Sequence, residues 1–330
     1  MIKVENIYIK IITLLLLTFM VGSFGFSQNG FESEEELKKK ASELFEEWNY
    51  VDAYPLYSQL LSNYPKDPEY NYKFGACMLF VEEDKSKALN YLNFAAARPN
   101  VDPEAIYYLG KALHYNYDFI GAKKRYEDFK TKASSKQLLK FDVEQHIKMC
   151  ENGMHLLRNI TDLAVLEKYT LNEADFFRTY DISSFGGKLV VKPEDFDLAA
   201  DKKKKETTVM YVNPRVEKLF FSSYGEKVRS GKDIYFVVRD ENGDWGEPQN
   251  IGAVINTPFD EDYPFFNAAT NTLYFASKGH NSMGGYDVFK SQYIPGSNSW
   301  SAPVNLDFAV NTPDRSEEHT SELQSPDHLV

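Results

Sequence analysis

The chain has 330 residues and a formal net charge of -12, and 43% of its residues are hydrophobic and 15% aromatic. This length allows about two domains, and the composition is typical of a protein that buries a core. The negative charge argues against nucleic acid as a partner, because phosphate binding needs clustered lysine and arginine. The one basic run, Lys202 to Lys205, stands beside Asp201 and Glu206 and is predicted to be a solvated loop.

The N-terminus has the pattern of an export signal. Two lysines accompany an apolar run over 11–24, and a small-x-small tripeptide ends at Ser27, directly before Gln28. The apolar run is shorter than the roughly 20 residues that a membrane-spanning helix needs. We therefore predict a signal peptide over 1–27 that is cleaved between Ser27 and Gln28, and a mature protein in the periplasm or at the outer membrane.

A repeat with a period of 34 or 35 residues extends from Glu34 to about Leu157. Small residues form two columns, a bulky residue follows each alanine of the second column by four positions, and prolines end the helix pairs. Antiparallel helices approach closely only where one presents Gly or Ala, and the bulky residue fills the gap beside that contact. The first column is Ala41, Gly75 and Gly110, the second is Ala53, Ala88 and Ala122, the bulky residues are Tyr57, Leu92 and Tyr126, and the prolines are Pro65 and Pro99.

These columns resemble the tetratricopeptide repeat family over three units, 34–67, 68–102 and 103–134, with a capping helix at about 136–157. The resemblance implies an α-solenoid over 28–157 that binds protein partners. Most of the aromatic residues in these helices are expected to pack between helices, and a minority could hold a partner peptide on the concave face. They are Tyr54, Tyr57, Tyr72, Tyr107, Tyr108 and Tyr115.

The two cysteines, Cys77 and Cys150, lie in helical patterns far apart in the chain. We predict two buried small apolar residues rather than a disulfide, which the exported location would permit. Neither has a neighbour at the spacing of metal ligands.

After a linker at 158–178, a second repeat appears at an offset of 54 or 55 residues. Its segments alternate apolar and polar residues between turn formers and are predicted to be strands. Each unit should form four strands, at about 263–267, 273–277, 286–291 and 300–306 in the second unit. The glycine before each aspartate is expected to allow a turn, and the tryptophan of the last strand to cover the sheet edge. Matching pairs are Gly231 and Gly285, Asp233 and Asp287, Trp245 and Trp300, Asn250 and Asn305, and 256–258 and 311–313.

The segment LYFASKGHNSMGGYDVFKS resembles the WD40-like propeller repeat of the TolB type. The resemblance implies an incomplete β-propeller over 179–314, with two full blades and a partial one, because closed propellers have about four to eight blades. Residues 315–330 resemble the translation of a sequencing adapter and are expected to be a disordered, non-native tail after a truncation. Six aromatic residues should then include some that face an absent blade: Phe220, Phe221, Phe265, Phe266, Tyr274 and Phe275.

No catalytic constellation is visible in the sequence. The six histidines are scattered, and neither a nucleophile elbow nor a phosphate-binding glycine loop occurs. The acidic segment 260–262 admits two interpretations, a solvated loop or a calcium site, and the preceding unit lacks its acids. We therefore expect no enzyme activity, no cofactor and no metal.

The order of signal peptide, tetratricopeptide repeats and TolB-type propeller resembles Bacteroidetes-type envelope proteins, among them the PorE-like component of type IX secretion. Longer members continue into an OmpA-like domain that binds peptidoglycan. The resemblance implies a non-enzymatic scaffold for protein–protein interactions, tied to secretion or to peptidoglycan through an OmpA-like domain that this chain lacks. The alternative hypothesis is the N-terminal part of a propeller-bearing hydrolase or peptidase, which the helical repeats ahead of the propeller disfavour.

Overall fold

The computed structural model describes residues 33–159, 182, 185–205, 208–213, 216–226, 231–308 and 310–313. The predicted signal peptide with Ser27 and Gln28, most of the linker and the tail at 315–330 lie outside the described residues. The chain forms helices first and then antiparallel strands, as the sequence predicted at this coarse level.

Most helices of the helical part start at side-chain caps, whereas the helices Ala88–Ala96 and Glu104–Tyr115 start without one. Ser33, Asn49, Asp67, Asp118 and Asp142 each accept a hydrogen bond from a backbone N–H in the first turn of the helix that follows. The helices are α1 (Glu34–Glu46), α2 (Tyr50–Asn63), α3 (Pro68–Val81), α4 (Ala88–Ala96), α5 (Glu104–Tyr115), α6 (Phe119–Lys132), α7 (Ser135–Lys140) and α8 (Val143–Leu156).

The two columns of small residues lie where paired helices touch. A Cβ on Gly75 would stand 2.8 Å from Cγ of Leu92, and one on Gly110 would stand 2.9 Å from Cε1 of Tyr126. The four alanines are fully buried. The repeat period therefore reports direct helix contacts, which is the arrangement of tetratricopeptide-like helix pairs. The alanines are Ala41, Ala53, Ala88 and Ala122.

The single capping helix expected at 136–157 is wrong, because the structure divides it into α7 and α8. Ser134 and Gln137 form a reciprocal capping box that starts α7, and Asp142 caps a new helix two residues after α7 ends. Between them Phe141 takes an extended conformation and is buried.

Among the described residues the strands form three separate sheets. β1 (Lys188–Val191) pairs with β2 (Val209–Val212), while β3 (Lys218–Ser223), β4 (Asp233–Val238) and β5 (Gln249–Asn250) make a second sheet. The third sheet has the order β10-β8-β7-β6, with β9 paired to β8. Its strands are β6 (Glu261–Asn267), β7 (Thr272–Ser277), β8 (Asp287–Ile294), β9 (Ser299–Trp300) and β10 (Val304–Asn305).

This topology does not confirm the predicted incomplete propeller. In the second repeat unit β6, β7 and β8 follow the predicted order, but the predicted fourth strand is divided into β9 and β10. In the first unit β2 pairs with β1 rather than with β3. Among the described residues no sheet closes on itself. A propeller is therefore not established, and the units are better described as related antiparallel sheets packed face to face.

The expectation of uncovered aromatic residues is also wrong. Phe220, Phe221 and Phe275 are buried, and Phe265, Phe266 and Tyr274 are half-buried. The reason is that the sheets cover one another: the ring centroid of Phe220 lies 5.1 Å from that of Phe266, and the ring centroid of Phe265 lies 4.8 Å from that of Tyr211.

One predicted loop is a helix instead, and one predicted glycine turn has another backbone conformation. The lysine run falls largely in a short helix, α9 (Ala199–Lys204), whose lysines are exposed but whose Asp201 is buried against Ser223 and the backbone of Tyr224. Gly285 does not adopt a positive φ, so its place in the repeat does not come from a left-handed turn.

Candidate protein-interaction surface

The first and third helix pairs meet through aromatic side chains. The hydroxyl groups of Tyr50 and Tyr108 lie 2.8 Å apart in a hydrogen bond, and the ring centroid of Phe45 is 5.8 Å from that of Tyr108 and 6.0 Å from that of Tyr72. Tyr50 also stacks on Phe80 at 4.1 Å. We call this side of the helical part the inner face, because here repeats that are not neighbours in sequence touch.

Most of the tyrosines that were considered as possible contacts for a partner peptide take part in this packing. Tyr57, Tyr72, Tyr107 and Tyr108 are buried, and Tyr54 and Tyr115 are half-buried. Burial raises the pKa of Tyr54 to about 12, and its hydroxyl donates to Glu82. The inner face is consequently filled with rings and does not present an open row of tyrosines.

Phe141, the residue directly after α7, completes the inner face. The Phe141 ring stacks on Tyr107 with centroids 4.0 Å apart and meets the edges of Tyr108, Phe129 and Trp48 at 5.9, 5.8 and 5.7 Å. We call the site made by these four rings the Phe141 seat. It bridges the first and third helix pairs.

Two carboxylates flank the Phe141 seat and hold the preceding lysine. Lys140 Nζ lies 3.2 Å from Glu46 Oε2, 3.1 Å from Glu104 Oε1 and 5.6 Å from the centroid of the Trp48 ring. Burial raises the pKa of the Glu104 carboxyl, which Lys140 only partly offsets. Burial opposes the charge of Lys140, but the two glutamates outweigh it and raise its pKa. The site is thus acidic beside an aromatic floor.

A second contact joins the helical part to the third sheet. The loop between β7 and β8 enters the end of the array, where the Met283 side chain is fully buried within the helical core. His114 Nε2 lies 2.7 Å from the carbonyl oxygen of Met283, and the side-chain amides of Gln145 and Asn152 donate to the carbonyls of Lys278 and Ser282. We call this contact the array–sheet joint.

The chemistry of the array–sheet joint fixes the state of His114. Burial lowers its pKa to about 4, so the ring is neutral at physiological pH. Nε2 must donate to the Met283 carbonyl, which leaves Nδ1 to accept from the Cys150 thiol, 3.5 Å away. Burial raises the pKa of Cys150 to about 12, so this thiol is not a nucleophile. Both cysteines are buried and unpaired, as the sequence predicted.

The residues shared by the two sheet units form the same hydrogen-bond network twice. In each unit an asparagine side chain accepts from and donates to the backbone of the third strand and donates to a second asparagine, which donates to the aspartate. The two networks are Asn256, Ile234, Asn250 and Asp233, and Asn311, Val288, Asn305 and Asp287. These repeat columns therefore serve to lock strands together.

The remaining repeated residues of the sheets take part in close packing contacts. A Cβ on Gly231 would stand 1.6 Å from Oδ1 of Asp260, so this position excludes any larger residue. Trp245 packs under Arg239 at 4.6 Å. Trp300 lies in β9, not in the last strand, and covers Phe220 and Phe266 between two sheets rather than an edge.

The acidic segment 260–262 is not a solvated loop, because Glu261 and Asp262 are buried at the start of β6. Asp262 pairs with Lys232 at 2.8 Å and Asp260 with Lys278 at 2.8 Å. These lysines already neutralise the carboxylates that a calcium ion would need. Within the described ranges no group of three potential metal ligands occurs, and no helix there is both long and apolar enough to span a membrane.

Glu261 connects the two repeat units. Its carboxylate accepts from the backbone N–H and the hydroxyl of Thr257, both at 2.7 Å, and from the Ser277 hydroxyl at 2.7 Å. Burial raises its pKa to about 7 despite these bonds. Sequence reasoning missed this role, although the repeated Asn-Thr-Pro turn four residues earlier was its signal.

No protein-family model matches the chain, and no curated protein matches it. Among solved structures, the TPR domain of Sgt2 from Aspergillus fumigatus is similar to it. That match has 19% sequence identity and a TM-score of 0.32, and it covers 44% of this chain and 94% of the other.

Proposed function

We propose that this protein is a non-enzymatic scaffold that mediates protein–protein interactions in the cell envelope. The observation that carries the proposal is the array of stacked helix pairs, since such arrays offer extended surfaces to protein partners. The array–sheet joint supports it further, because the joint fixes the helical part to the third sheet and so makes one platform of the two.

The location and the pathway are further parts of the same proposal. The N-terminal sequence favours export and cleavage between Ser27 and Gln28, which would place the protein in the periplasm or at the outer membrane. The resemblance of the sequence to Bacteroidetes-type envelope proteins, whose longer members continue into an OmpA-like domain, supports a role in type IX secretion or in peptidoglycan anchoring. No enzymatic step is assigned to any residue.

Site-directed photo-crosslinking in the producing organism tests the scaffold. A photoreactive amino acid would replace Leu139, whose side chain is 90% exposed beside the Phe141 seat, and in a matched control Ile120, which is 74% exposed on α6. We expect a discrete protein adduct from Leu139 that is absent from Ile120. The absence of any adduct from these and other exposed array positions would refute the scaffold function.

Export is tested separately. Residues 1–40 fused to a reporter enzyme that is active only after export should give activity, and N-terminal sequencing of the mature protein should begin at Gln28. A reporter retained inside the cell, with an intact Met1, would refute the proposed location and leave the interaction function standing.

A further inference from the structure

We infer that the Phe141 seat is a binding site for a partner peptide in which a basic residue precedes an aromatic one, and that Lys140 and Phe141 occupy it in cis. The inference rests on the proposed scaffold function and names the chemistry of the partner. Lys140 and Phe141 each meet a different kind of surface: the lysine contacts carboxylates and the phenylalanine contacts aromatic rings.

The aromatic half of the site is built from rings that belong to other elements. Tyr107 and Tyr108 lie on α5, Phe129 lies on α6 and Trp48 follows α1, so the floor remains when α7 leaves. Stacked and edge-on ring pairs at 4.0–5.9 Å each contribute beyond simple burial. A phenylalanine or tyrosine of a partner would meet the same four rings.

The part of the site that receives the basic residue is formed by Glu46 and Glu104. The side chain of Glu104 is 9% exposed, and its oxygens lie 3.1 and 3.2 Å from Lys140 Nζ. A buried carboxylate without a cationic partner is costly. A peptide that displaces α7 must therefore bring its own lysine or arginine, and a peptide with an acidic residue at that position is excluded by repulsion.

α7 and Phe141 should dissociate from the array more easily than one of its longer helices. α7 has only six residues, none of them buried, and Leu139 points to solvent. The helices on either side stay together without it, because Phe119 packs where a Cβ on Gly153 would come within 2.5 Å and Lys123 pairs with Glu151 at 2.7 Å. Release of α7 together with Phe141 thus uncovers one ring and breaks the two ion pairs of Lys140 and the hydrogen bond from Gln137 to Asp102.

The main experiment uses the full chain and a fluorescent peptide of its own residues 137–142, QLLKFD. In a variant with Lys140→Ala and Phe141→Ala the site is empty, and we expect saturable binding by fluorescence anisotropy at least tenfold tighter than to the unaltered chain. The peptide QLLEFD should not bind. Adding Glu104→Gln to the emptied variant should remove most of the preference for QLLKFD over QLLAFD.

The control variant is Lys130→Ala, which breaks the ion pair of Lys130 with Glu144 outside the seat and should bind no better than the unaltered chain. An emptied variant that keeps its helical circular dichroism but binds no QLLKFD, or binds QLLEFD equally well, refutes the inference.

If the emptied variant does not fold, hydrogen exchange of the unaltered chain tests whether the peptide displaces α7. Millimolar QLLKFD should accelerate exchange in residues 135–141 without changing α5, and no acceleration refutes the inference. Crosslinks in the cell together with no peptide binding would overturn this inference alone, whereas peptide binding without any crosslink would overturn the scaffold function.

Discussion

Replacement of Met283 by alanine should weaken the helical part although Met283 belongs to a loop of the sheet. Its side chain is fully buried in the helical core, whereas its carbonyl, which receives the His114 hydrogen bond, is unchanged by the substitution. Truncation of a buried methionine to alanine costs roughly 2–5 kcal/mol. We expect the lower half of that range, because the backbone hydrogen bonds of Lys278 and Ser282 keep the loop in place.

Urea denaturation measures the loss in unfolding free energy, and hydrogen exchange shows where it occurs. In Met283→Ala the amides of α5 and α8 should exchange faster. The control is Met210→Ala, since Met210 is equally buried but belongs to a core cluster of the strand-rich half of the chain, together with Phe196, Phe221 and Val237. It should accelerate exchange in β3 and β4 and spare α5 and α8. An array unaffected by Met283→Ala would show that the array–sheet joint carries no stability.

Three further predictions follow from the packing and from the buried titratable groups. Gly110→Ala should lower stability by roughly 1–3 kcal/mol, because its Cβ would meet the fixed ring of Tyr126, whereas Gly296→Ala, with no atom within 4 Å, should be neutral in the same thermal melt. Glu261→Ala should destabilise the third sheet more than Glu247→Ala, because Glu261 alone accepts from Thr257 and Ser277, and equal urea midpoints would contradict this. Burial lowers the pKa of His114 to about 4, so the contribution of this histidine to the unfolding free energy is lost as the pH falls from 6.5 towards 4. Burial raises the pKa of Glu261 and Asp287 to about 7, so the contribution of these two carboxyls is lost as the pH rises from about 4 through 7. Unfolding free energies between pH 4.5 and 6.5 should therefore rise more steeply with pH in an Asp287→Asn variant than in the unaltered chain, and a parallel slope would contradict the assignment.

The helical contacts could be predicted from sequence because they are nearly local. Gly75 meets Leu92 and Gly110 meets Tyr126 within one helix pair, so a period of 34 or 35 residues and the sizes of the side chains define the contact. The Phe141 seat could not be predicted in the same way. Trp48 and Phe141 are far apart in sequence, and no local pattern states that the first and third pairs meet.

Strand pairing shows the same limit in the second half of the chain. Alternation placed β6 and β7 close to where they are. Alternation does not specify a partner, however, and in the preceding unit β2 pairs with β1. The acids at 260–262 were expected in solvent because charge usually is exposed. Their burial depends on Lys232 and Lys278, which precede the neighbouring strand β4 and follow β7, and only the three-dimensional arrangement brings them together.

The two repeat systems use their repeated residues for different physical purposes, and this bears on where partners bind. In the helices the repeated residues are small and set the distance between backbones, so they leave the outer side chains free to vary. In the sheets the repeated asparagines and aspartates are consumed by internal hydrogen bonds, as Asn256 and Asn311 show. Residues committed to such bonds are unavailable to a partner without breaking a buried network. Recognition is therefore expected at positions outside the repeated columns, and the rings of the Phe141 seat, none of which belongs to such a column, are positions of this kind.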